Sequence, residues 1–277
     1  MRVSSQQLFD SGVAALQQHL QGVVESQRQI SSGQRHSKAS DDPLAAGLGV
    51  QVSLKRSEFA MFKVNQNHVQ HTLDQTDAQL SSLQQLLASF QQLMIQTTSP
   101  GIDGKLRQQM AQKADSLIAA FDQFVQAKDA SGQPILKATG SVGRVQVAPS
   151  IEIETGIEQV SVIGSASQGI DVLQAMRDVK TALEGGQQAS NAQFDAIGDA
   201  LSQVSKAQVR TGVLLNLLES ASQASAFQEA AVEQQRSNLL DTDPAQATAD
   251  LARSNALLQA AQAIMARLDS TSLFQKI

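Results

Sequence analysis

Between residues 50 and 99 the chain contains neither glycine nor proline. Within that stretch Phe62, Gln66, Val69, Leu73, Thr76, Leu80, Leu83, Leu87, Phe90 and Met94 recur alternately three and four residues apart. This is the a/d spacing of a coiled-coil seam, and it predicts one helix about 50 residues long. Composition points the same way. Nine Phe are the only aromatic residues besides His, and Trp, Tyr and Cys are absent. Thick cores are hard to fill without large aromatic side chains, whereas narrow seams between parallel or antiparallel helices need only Leu, Ile, Val, Ala and an occasional Phe.

The same reading extends to both ends. Phe9, Val13, Leu16, Leu20, Val23, Gln27 and Ile30 form an a/d stripe, so a first helix is expected over about 4–32. Ser31-Ser32-Gly33 ends it, and Ser40-Asp41-Asp42-Pro43 opens the next, with Asp42 as the cap and Pro43 at the first helical position. Asp243-Pro244 repeats that arrangement before a last helix whose face carries Ala247, Leu251, Leu258, Ala261, Met265 and Leu268. Thr98-Ser99-Pro100-Gly101 separates the long helix from a third, with Leu106, Met110, Leu117, Phe121 and Phe124 on one face and an end near 128. A short helix over 171–184 and a long one over about 190–239 follow, the latter with Phe194, Ile197, Leu201, Val204, Leu215, Leu218 and Val232.

Only the middle departs from this pattern. Val145–Val147, Ile151–Thr155 and Val160–Ile163 alternate at period two among glycines, which predicts three short strands. The expected fold is therefore mainly α, with long antiparallel coiled-coil-like helical rods formed by the N- and C-terminal segments and a small β-rich central insertion. Three layers are expected: a terminal helical assembly domain of residues 1–42 and 243–277, a helical rod domain of 43–130 and 170–242, and a small β-rich outer domain of 131–169.

Several functions are disfavoured by the same residues. A formal net charge of −5 with no basic stripe argues against nucleic-acid binding. The lack of cysteine removes thiolate metal sites and cysteine nucleophiles. No run of about 18 apolar residues exists to span a membrane, and the N-terminus has neither an apolar h-region nor a small-residue cleavage site. His68 and His71, with Asp74 and Asp77 nearby, read better as a polar helix face than as a metal site. Asp41 and Asp42 read better as a cap than as an acid/base pair. Gly140 and Gly143 do not open a helix after a strand, so they are not a phosphate loop. No cofactor, metal or catalytic residue is expected.

Terminal helices with such narrow seams are marginal alone, because nucleation is costly and little area is buried until something covers the stripe. They could pack on the central bundle or pair with each other. The alternative is that they order against neighbouring subunits.

Three motifs carry a resemblance. Ile30-Ser-Ser-Gly-Gln-Arg35 with Ala39-Ser-Asp-Asp-Pro-Leu-Ala-Ala-Gly47 resembles the N-terminal signature of the flagellin family. Ser205-Lys-Ala-Gln-Val-Arg-Thr-Gly-Val213 is similar to that family's C-terminal rod segment, and Asp241-Thr-Asp-Pro-Ala-Gln-Ala247 with Ala256–Ala261 resembles its last helix. The likeness covers roughly residues 1–130 and 190–277. The opening Met1-Arg2-Val3-Ser4-Ser5 and the ending Ser272-Leu273-Phe274-Gln275 look like those of the family's hook–filament junction members. Phe90-Gln91-Gln92-Leu93 departs from the Arg-x-x-Glu pair more usual in filament subunits.

What the resemblance implies is a structural subunit, not an enzyme, exported uncleaved through the flagellar type III apparatus. Its implied partners are an export chaperone, hook-associated protein 1, flagellin and further copies of itself in a ring. Candidate contact residues are Phe9, Val13, Leu16, Leu20, Val23, Ile30, Arg35, Asp42, Pro43, Arg210, Asp243, Leu251, Leu258, Met265, Leu273 and Phe274. Two other readings remain: a short flagellin that builds the filament, and a cytoplasmic signalling coiled coil, which should carry unbroken heptads through the middle.

Overall fold

The computed structural model describes residues 2–36, 38–165 and 170–274, without the side chains of 2–6, 8, 9, 165, 170 and 268–274. Among the described residues there are seven helices: α1 (Arg2–Ser32), α2 (Pro43–Thr97), α3 (Gly104–Val125), α4 (Gln159–Ile163), α5 (Val172–Glu184), α6 (Asn191–Leu240) and α7 (Pro244–Phe274). Two antiparallel pairs complete it, β1 (Arg144–Ala148) with β2 (Ile151–Glu154), and β3 (Gly164–Ser165) with β4 (Ile170–Asp171). The chain divides into two compact units, residues 1–57 with 229–277, and residues 58–228. Neither division coincides with the breaks at 33–42 and 241–243, because α2 and α6 run on without interruption.

The unit of residues 58–228 holds the core. All ten positions of the α2 seam, from Phe62 to Met94, are buried. The lower part of that seam, Leu80 to Met94, packs with Ala111, Ile118 and Phe121 of α3, Met176, Val179 and Leu183 of α5, and Ile197, Ala200 and Val204 of α6. Val69 and Leu73 pack instead with Val147, Ala148 and Ile153 of the β1–β2 hairpin and with Leu218 and Ala221 of α6. Leu136, Ile157 and Val162 likewise pack in the cluster that holds Leu80 to Met94. The hairpin is also tied to α2 by hydrogen bonds from Gln66 Nε2 to the Val147 carbonyl (2.7 Å) and from Asn65 Nδ2 to the Gln146 carbonyl (2.8 Å). Its register pairs Val145 with Ile153 and Gln146 with Glu152, then shifts so that Ala148 meets Ile151. Ser150 turns the chain at φ 63°.

Two local expectations fail in this unit. Val160–Ile163 forms one turn of helix instead of a strand. Ile157 and Val162 are both buried, and a helical turn between them returns the chain to the same core. The face of α3 is rotated as well: Ala111, Ala114, Ile118, Phe121 and Val125 are buried, while Leu106 and Phe124 are exposed. Small residues let α3 approach α5 closely, so Ala111 and Ala114 take positions that bulk hydrophobicity would have assigned to Leu and Phe.

In the other unit, α1 and α7 pack along each other. A Cβ on Gly12 would meet Met265, and one on Gly22 would meet Ser254. Rising numbers on α1 therefore face falling numbers on α7, and the pair is antiparallel.

Candidate assembly surface

The sequence-derived contact residues sort into three groups. Val13, Leu16 and Val23 of α1 and Leu251, Leu258 and Met265 of α7 are half-buried. On α7 these positions, with Ala247, Ser254 and Ala261, are the helix's covered face. The covered face of α1 is rotated by about one residue from the aliphatic stripe. Gly12, Ala15, Leu16, His19, Gly22, Val23 and Ser26 lie on it, whereas Leu20 (49% exposed) and Ile30 (39%) lie off it. The terminal seam is filled within the chain, by small residues that allow the two backbones close approach. Phe9, Leu273 and Phe274 fall outside the described side chains.

A second group sits at the breaks. Asp42 Oδ1 accepts from Ala45 N–H (2.9 Å), with Pro43 at the first helical position of α2, and Asp243 Oδ1 accepts from Ala245 N–H (2.8 Å) ahead of α7. Both caps behave as the Asp-Pro pairs predict. Between them the two breaks join: Arg35 N–H donates to the Leu240 carbonyl (2.8 Å), and Thr242 N–H donates to the Gly33 carbonyl (2.9 Å). Gln29 Nε2 donates to the Arg35 carbonyl (3.0 Å), and the Arg236 guanidinium forks onto both carboxylate oxygens of Asp241 at 2.9 Å. Beside this junction lies a polar recess of about 580 Å³ lined by Arg35, His36, Asp241, Thr242 and Asp243 among others. His36 Nε2 stands 3.9 Å from Asp42 Oδ2.

Arg210 stands apart, in the unit of residues 58–228. Its guanidinium donates to Glu154 Oε2 of β2 (2.6 Å), while Arg144 reaches Oε1 (3.4 Å). Burial pushes the Glu154 carboxyl upward, but the two arginines outweigh it and hold the group below the usual glutamate range. Arg210 is thus a tie between α6 and the hairpin.

Pattern reading missed most of the exposed apolar surface. Besides Leu20 and Ile30, the unit of residues 1–57 and 229–277 exposes Val24, Leu44, Val50, Leu54, Leu257 and Ile264. Ala46, Gly49, Val50, Ser53, Leu54 and Leu240 line a shallow, mainly apolar groove of about 340 Å³. The other unit exposes Val209, Val213 and Leu217 on consecutive turns of α6, and Phe227 at 79%. The available signal was a second apolar stripe on helices whose first stripe already accounts for their core.

Comparison with known proteins gives this surface a context. The bacterial flagellin N-terminal helical region matches residues 3–141, and the bacterial flagellin C-terminal helical region matches residues 194–276. The chain belongs to the flagellin family. Among solved structures, this flagellin-family chain is similar to a putative flagellar hook-associated protein from Vibrio parahaemolyticus, at 18% identity and a TM-score of 0.67, covering 73% of this chain and 100% of that one. It is similar to flagellar hook-associated protein 3 from Legionella pneumophila at 11% identity and a TM-score of 0.62, covering 68% and 98%. A flagellar junction protein from Legionella pneumophila matches at 13% identity and a TM-score of 0.56, covering 70% and 99%. These likenesses establish a shared mainly-α fold. No curated protein sequence matches the chain.

Proposed function

We propose that this chain is a structural subunit of the bacterial flagellum that joins the hook to the filament. The observation that carries this reading is the fold, which follows hook-associated proteins over 98% or more of their own length. The two flagellin regions are separated here by residues 142–193, where the described residues form two small strand pairs, two short helices and the start of α6. A subunit of this kind acts through its contacts, and its chemistry is the burial of exposed apolar stripes against neighbours. Leu20, Val24, Ile30, Leu257 and Ile264 are the side chains best disposed for that role on the terminal pair. The partners are hook-associated protein 1 on one side and flagellin on the other, with further copies of this chain completing a ring. An export chaperone and passage through the flagellar type III apparatus precede assembly.

Deletion of the gene tests the proposal. The deletion strain is expected to keep its hooks and to shed unpolymerised flagellin into the medium, seen by electron microscopy of the cells and immunoblotting of the supernatant. Filaments of normal length would overturn the junction role. Loss of flagellin from the whole culture, with hooks and caps intact, would make the chain a filament subunit.

A further inference from the structure

The seam between α1 and α7 specifies its own register poorly. It consists largely of small residues, Gly12, Ala15, Gly22 and Ser26 on α1 and Ala247, Ser254 and Ala261 on α7, with Leu251 and Leu258 repeating at equivalent positions. Sliding α7 by one heptad puts one leucine or one small residue where another had been. Seams whose residues repeat by heptads in this way tolerate such slips. Yet the structure holds one register, with Gly12 against Met265 and Gly22 against Ser254.

The junction at the base of the pair supplies what the seam lacks. Gln34 and Asp241 form an antiparallel bridge, flanked by the Arg35-to-Leu240 and Thr242-to-Gly33 hydrogen bonds. Helix α1 ends at Ser32 and α7 begins at Pro244, so one or two residues separate each helix from the bridge. A slip of one heptad moves α7 by about 10 Å along its axis. Linkers that short, already engaged in hydrogen bonds, cannot absorb it while the bridge stands. The bridge depends on Gly33 at φ 68°, and it is braced by Arg236 on Asp241 and Gln29 on the Arg35 carbonyl. We propose that this clasp, Gly33–Arg35 against Leu240–Thr242, is the register-setting device of the terminal helix pair.

Disulfide trapping in the purified full-length chain tests it, because the chain has no cysteine of its own. A Cβ on Gly22 would stand 3.7 Å from the Ser254 Cβ, within the range a disulfide requires. The pair Gly22→Cys with Ser254→Cys is therefore expected to close in the native register. Gly22→Cys with Ala247→Cys, or with Ala261→Cys, reports slips of one heptad in either direction. Gly33→Val breaks the clasp through the backbone alone, since no atom lies within 4 Å of its would-be Cβ and valine disfavours a positive φ. Combined with Arg236→Gln, it is expected to cut the native-register yield at least several-fold and to raise one of the slipped pairs. Gly33→Asn, which tolerates the left-handed region, is expected to keep the native pair. An unchanged native yield in the broken clasp would overturn the proposal. So would a parallel fall of all three pairs, since the clasp would then hold the helices together without choosing their register.

Discussion

The α2 seam in the unit of residues 58–228 and the α1 seam in the unit of residues 1–57 and 229–277 share one periodicity but differ in burial. Leu73, Leu80, Leu83, Leu87 and Phe90 are fully buried, whereas Val13, Leu16 and Val23 are only half-covered. The difference lies in the number of neighbours. Around Leu83 and Phe90, side chains arrive from α3, α5 and α6, and the space closes at the density of a protein interior. On α1 the cover comes mainly from α7 among the described residues, and a second stripe with Leu20 and Val24 is exposed. Equal heptads therefore do not imply equal energies. Each fully buried leucine contributes about 1.5–3 kcal/mol, and a half-covered one proportionally less.

The sharpest way to break this comparison is to place the same charge on both seams. Leu83→Asp puts an unpaired carboxylate in the core and is expected to destabilise the purified chain by more than about 4 kcal/mol, read as a large fall in melting temperature. Leu20→Asp lies on the open stripe and is expected to shift stability by less than about 0.5 kcal/mol, while filament growth from the hook fails. Equal destabilisation by the two substitutions would mean that the outer stripe of α1 is covered in the isolated chain.

A smaller effect separates the units through their helix caps. Asp243→Ala removes the acceptor for Ala245 N–H at the start of α7, and Asp171→Ala removes the acceptor for Gln174 N–H at the start of α5. Each is expected to cost about 1 kcal/mol. In α5 the loss should appear as lower global stability, because Val172, Met176, Val179 and Leu183 belong to the core. In α7 it should appear as faster amide exchange confined to the terminal pair. Identical exchange patterns would dissolve the distinction.

The smallest expected effect is the pH response of the hairpin tie. The carboxyl of Glu154 has a folded pKa below its unfolded value, so its contribution is fully present above the ordinary glutamate pKa and is lost as pH falls through the depressed one. Both partners are partly exposed, which keeps the contribution to about 1 kcal/mol or less. Melting of the wild-type chain between about pH 5 and pH 3 should therefore fall slightly more than melting of Glu154→Gln. An equal fall would remove the tie from the ledger of this unit.

Much of the fold was legible because its signals are local. The ten-position seam from Phe62 to Met94 was read from spacing, and all ten are buried. The breaks at Asp42-Pro43 and Asp243-Pro244 were read from capping chemistry, and both helices begin there. The candidate surface was less legible. The aliphatic stripe of α1 offered Leu20 and Ile30 as contact residues, but spacing alone did not show that the face covered by α7 would follow Gly12, Gly22 and Ser26, which permit close approach. The same preference rotated α3 toward Ala111 and Ala114, and burial of Ile157 and Val162 turned a β-branched run into a helical turn.

By itself, then, the sequence determined where helices start and stop and that each carries at least one apolar stripe, since caps, prolines and 3.5-residue spacing act within a few residues along the chain. Only the tertiary structure decided which stripe is covered, by how many neighbours, and which two distant breaks meet at Gln34 and Asp241. Those outcomes depend on the shape and number of the surfaces that come together, and no local spacing encodes them.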